Sequence, residues 1–90
     1  MNLSDRAQIQ PQVIARQVGD ETVMLDLANG MYFSLDAIGA RIWQLLGEGR
    51  TLAEICAAIT VEYEVARDVI ERDVLNLVEE LAAHGLLAPA

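Results

Sequence analysis

The hydrophobic period of this chain changes once, at Asp36, and that change constrains the fold more than any other feature. Upstream the apolar residues follow a strand period. In "ETVMLDLA", Val23, Leu25 and Leu27 alternate with Met24, Asp26 and Ala28. Asn29-Gly30 follows, the dipeptide favoured in tight hairpin turns because both central residues take positive φ. In "MYFSL", Met31, Phe33 and Leu35 share one face, and Tyr32 and Ser34 the other. An earlier run, "VIARQV", ends at Gly19-Asp20. The three runs predict an antiparallel meander, first strand to second and second to third. Beyond Asp36 no segment reads as a strand, so the third strand is an edge that nothing in the sequence covers.

The remainder reads as three helices. Asp36 is a suitable N-cap for a helix carrying Ile38, Ile42, Trp43, Leu45 and Leu46, ended by "GEG". Thr51 and Glu54 have the spacing of a capping box and open a second helix through about Val61. Its apolar face is Leu52, Ile55, Cys56 and Ile59. The third helix is predicted from about Val65 to His84, with Gly85 as its stop. Ile70, Val74, Leu77 and Leu81 form its stripe, with Val69, Leu75 and Val78 outside the centre. The fold class is therefore α+β: a three-stranded antiparallel meander followed by three helices, like a winged helix-turn-helix with its strands placed first. Residues 1–12 are expected to be loose, and 13–88 to form a single domain.

Composition then removes whole classes of function. A 90-residue chain buries only about 60–65% of its unfolded surface, which leaves little room for a deep catalytic cleft beside a core. Fourteen acidic side chains against six basic ones give a net charge of −8, which repels nucleic acid and anionic lipid. The apolar runs are too short to span a membrane, and the polar N-terminus is no signal peptide. One cysteine makes no internal disulfide and suits a cytoplasmic setting. Cys56 lies on an apolar stripe with no histidine near it in sequence, so it reads as core. His84 ends a helix, where the helix dipole accounts for it. One His and one Cys make no usual zinc site. No cofactor-binding loop or catalytic constellation is present, so no enzyme activity is expected.

"GMYFSLDAIGARIWQLLGEGRTLAEICAAI", followed by "RDVLNLVEELAAHGLL", resembles the PqqD family of peptide chaperones. The likeness rests on an ordered set: Leu35-Asp36, Ile38-Gly39-Ala40, Ile42 to Leu46, Gly49-Arg50-Thr51, Asp73-Val74 and Gly85-Leu86. It spans about residues 13–88. Asp36 stands where Asn is common, and either residue caps a helix.

The resemblance implies a protein that binds the leader segment of a ribosomally synthesised precursor peptide and presents it to a separate processing enzyme. It implies that the leader adds a strand to the third strand, Met31, Tyr32, Phe33, Ser34 and Leu35, and lies against the third helix. On that helix the apolar surplus and the flanking Asp73 mark Val69, Ile70, Asp73, Val74 and Leu77 as groove candidates. The Ile42-Trp43 pair and the hairpin "LDLANGMYFSLD" point to the lasso peptide branch, whose partner is a leader peptidase. The alternatives are a chaperone for quinone cofactor biosynthesis and a structural module that dimerises through the same edge. A monomer or weak dimer is expected. A DNA-binding winged helix is disfavoured, because no Lys or Arg lies between Thr51 and Val65.

Overall fold

A computed structural model describes residues 1–90. Its elements run β1 (Ala7–Ile9), β2 (Val13–Val18), β3 (Glu21–Asp26), β4 (Met31–Leu35), α1 (Ala37–Gly47), α2 (Leu52–Tyr63), α3 (Arg67–Ala83) and β5 (Leu87–Pro89). The expected meander is present as β2-β3-β4, antiparallel throughout. Turns at Gly19 and Gly30 adopt positive φ, where glycine has no Cβ penalty. The α+β class and the three strands followed by three helices are as expected.

The sheet buries the less apolar of its two alternations on β3. Thr22, Met24 and Asp26 are buried toward the helices, while Val23 and Leu25 lie half-exposed on the outer face. Asp26 is tolerated there because it organises the next turn. Its carboxylate accepts the Ala28 N–H at 3.0 Å, and its carbonyl accepts the Gly30 N–H at 2.8 Å. Helix α1 packs across the middle of this inner face, with Ile42, Trp43, Leu45 and Leu46 buried. The expected caps form. Asp36 accepts the Gly39 N–H at 2.8 Å, and Thr51 and Glu54 exchange hydrogen bonds at 3.2 and 2.8 Å.

Three expectations need correction. First, the N-terminal segment is not loose. Strand β1 pairs antiparallel with β5, Ala7 opposite Pro89 and Ile9 opposite Leu87. Upstream of it, the Asp5 and Leu3 carbonyls accept the first two N–H groups of α2, from Leu52 at 2.9 Å and Ala53 at 2.7 Å. Buried Ala7 and half-buried Met1, Leu3 and Ile9 supply the apolar contact that holds this segment down. Second, β5 is a strand that follows the helices. Three residues are too few to show alternation, and its partner is the far end of the chain. Third, the core stripe of α3 is Ile70, Val74, Val78 and Leu81, with Leu77 only half-buried. The helical period fits both sets, and only the position of the neighbouring elements chooses between them.

Candidate functional site

Strand β4 pairs with β3 alone, so one of its edges is free. Which backbone groups point off that edge follows from one bond. Leu27 N–H donates to the Gln12 carbonyl at 3.0 Å, so the odd-numbered residues of β3 face β2 and the even-numbered ones face β4. The pairs Thr22–Leu35, Met24–Phe33 and Asp26–Met31 are then the hydrogen-bonded pairs. The N–H and C=O of Tyr32 and Ser34 point outward. Two donor–acceptor sets therefore lie open to an added strand. Neither side chain obstructs them, because Tyr32, 71% exposed, and Ser34 stand on the outer sheet face.

Beside this edge lies a cleft of about 420 Å³ between β4, the first half of α1 and the middle of α3. Leu35, Ile38, Ile42 and Leu77 give it an apolar lining, and Asp36, Asp73 and Glu80 bring three carboxylates. No basic side chain lines it. Gly39 lets α1 pack closely on the end of β4: a Cβ there would stand 3.2 Å from the Leu35 Cβ. At the C-terminal end of α3 the Phe33 and His84 rings meet with centroids 5.2 Å apart, which ties β4 to that helix end.

The expected site residues divide into three groups. Ser34, Leu35, Asp73 and Leu77 line the cleft together. Met31, Tyr32 and Phe33 continue the edge, and Val69 is exposed a turn away from the cleft on α3. Ile70 and Val74 are core residues, 1% and 0% exposed, whose side chains reach no groove. The sequence reading missed Asp36, Ile38, Gly39, Ile42, Asn76 and Glu80. Ile38 and Ile42 are spaced one turn apart directly after the strand, the signal that could have found them, since it places both on the side of α1 that turns back along β4.

The sheet has a second free edge, on β2, beside a cleft of about 380 Å³ against α1. There the outward N–H groups belong to Val13, Ala15 and Gln17, and the Val13 one is already donated to the Gln10 carbonyl at 3.1 Å. One of the charges lining that cleft, Arg41, is already paired. Arg41 grips Glu62 through two bonds of 2.8 and 2.9 Å, which raises the Arg41 pKa and lowers that of Glu62. Arg16 on β2 adds a charge to that edge, whereas "MYFSL" has none. Of the two edges, β4 is the unprotected one.

A free strand edge beside an apolar cleft is the general arrangement by which folded domains take up extended peptides. Comparison with known proteins gives the class a family. The chain belongs to the PqqD family: the family model described as Coenzyme PQQ synthesis protein D (PqqD) matches residues 21–87. No curated protein matches the chain. Among solved structures it is similar to TbiB1 in complex with the TbiA(beta) leader peptide. That pair shares 45% identity at a TM-score of 0.84, over 89% of this chain and 93% of that one. It is also similar to lasso peptide synthetase B1 complexed with the leader peptide. There the identity is 33% and the TM-score 0.85, over 93% of this chain and 99% of that one.

Proposed function

We propose that this chain is a leader-peptide receptor of lasso peptide biosynthesis: it captures the leader of a ribosomally made precursor and presents it to a separate processing enzyme, a leader peptidase. The observation that carries the reading is the open β4 edge beside an apolar cleft, in a chain similar to two proteins solved with leader peptides bound. The leader joins β4 as a further strand through the backbone of Tyr32 and Ser34 and places alternate side chains in the cleft against Asp73 and Leu77. The chain itself catalyses nothing; it supplies position. The lasso branch is favoured over quinone cofactor assembly because one of the two similar structures is itself a lasso peptide synthetase subunit.

Proline distinguishes strand addition from other modes, since it deletes one N–H and is tolerated where that group faces solvent. A fluorescent TbiA(beta) leader peptide, titrated by anisotropy, is the probe. Tyr32→Pro and Ser34→Pro should each weaken binding about tenfold or more, from the lost bond and the steric block. Ala15→Pro and Gln17→Pro, on the other edge, should leave it unchanged. Circular dichroism confirms folding. Loss of binding confined to the β2 variants, or normal binding by folded β4 variants, contradicts the assignment. Self-association would instead show as a concentration-dependent elution volume that the peptide does not reverse.

A further inference from the structure

The cleft is unbalanced in charge. Of its ten lining residues three are carboxylates and none is basic. Asp36 is occupied with capping Gly39, but neither Asp73 nor Glu80 has an ion-pair partner. Elsewhere on the surface several carboxylates do find one: Glu48 with Arg50, Glu62 with Arg41, Glu71 with Arg67. The carboxylates of the cleft do not gather as a metal site, since no three potential ligands come together anywhere in the chain. Asp73 and Glu80 flank Leu77 on α3, each within about one turn, roughly 5 Å along the axis. An extended peptide repeats its same-face side chains about every 6.8 Å. A bound strand that seats one side chain over the apolar floor thus brings its next same-face side chain within reach of a free carboxylate.

Resting on the strand-addition reading, we propose that the captured segment carries two specificity elements on one face. The first is an apolar side chain over Leu35, Ile38, Ile42 and Leu77; the second is a Lys or Arg two residues from it, held by Asp73 and Glu80. The apolar contact provides affinity, and the charge selects sequence and alignment. A leader with an acidic residue at that place is rejected, because it would face two unpaired carboxylates and the field of a chain with net charge −8.

The test is a charge scan. Each position of the TbiA(beta) leader is replaced in turn by Lys and by Glu. Each peptide is titrated against the native chain, the double variant Asp73→Asn/Glu80→Gln, and Asp68→Asn as a control outside the cleft. With the native chain and the control, a position two residues from an apolar one should bind as Lys at least about fivefold tighter than as Glu. In the double variant that ratio should fall to within about twofold, with thermal unfolding little changed. A ratio that survives in the double variant, or the lack of any such position, overturns the proposal while leaving strand addition intact. Failure of every leader to bind the native chain would overturn strand addition and this inference together.

Discussion

Thr51 and Glu54 show what single residues decide here. The Thr51 hydroxyl accepts the Glu54 N–H, and the Glu54 carboxylate accepts the Thr51 N–H. Thr51→Ala should cost about 1 kcal/mol, read from urea unfolding. Hydrogen bonding from Thr51 holds the Glu54 carboxyl below the usual glutamate range, and the bond from Arg41 does the same for Glu62. Both folded values are depressed, so their stabilisation is present above the ordinary glutamate pKa and is lost as pH falls through the depressed values. Unfolding midpoints should therefore drop below about pH 4, and Glu54→Gln should flatten part of that slope. Cys56 is fully buried, and burial pushes its thiol pKa up. It should resist Ellman's reagent in the native protein and react once guanidinium unfolds it. Caps and turn glycines were readable from sequence because their partners lie within a few residues. Leu77 and Val78 were not, because choosing between adjacent helical positions requires knowing what packs against the helix. The consequence is testable. Val74→Ala, in the core, should lower stability without a specific effect on leader affinity. Leu77→Ala, half-buried at the cleft, should weaken leader binding and cost less than the roughly 2–5 kcal/mol of a fully buried leucine.

Among the elements, the meander and the helices were legible because each carries its own period, and the β1–β5 ribbon was not. Its two strands have three residues each and lie at opposite ends of the chain. Nothing local distinguishes such strands from polar tails. Yet the N-terminal segment completes α2, whose first two N–H groups it accepts. Deleting residues 1–9 should leave the β2-β3-β4 meander in place and accelerate amide exchange at Leu52, Ala53 and Gln10, measured by NMR. Unchanged exchange at Leu52 and Ala53 would show that Thr51 and Glu54 cap the helix unaided. The outward parity of β4 was likewise absent from the sequence. It was fixed by a bond from Leu27 to Gln12, two strands away from the edge it decides.

The molecule as a whole is a three-stranded sheet with helices on one face, and α1 lies between two clefts that open on opposite sheet edges. Its one cysteine is buried, and no three potential metal ligands come together. Incubated with a lasso precursor, the purified chain should leave it uncut, and cleavage should begin only when a leader peptidase is added. The edge itself was legible in the sequence as a strand with no visible partner. The cleft beside it was not, because Ile38 and Ile42 become its floor only when α1 folds back along β4.

The central claim is that a leader becomes the strand next to β4. Amide hydrogen exchange of the isotopically labelled chain, with and without the TbiA(beta) leader peptide, tests it most directly. The Tyr32 and Ser34 amides should exchange rapidly in the free protein and become protected when the peptide is added. Ala15 and Gln17 should exchange alike in both states. Protection at Ala15 and Gln17, or bound peptide with Tyr32 and Ser34 still unprotected, would contradict the account.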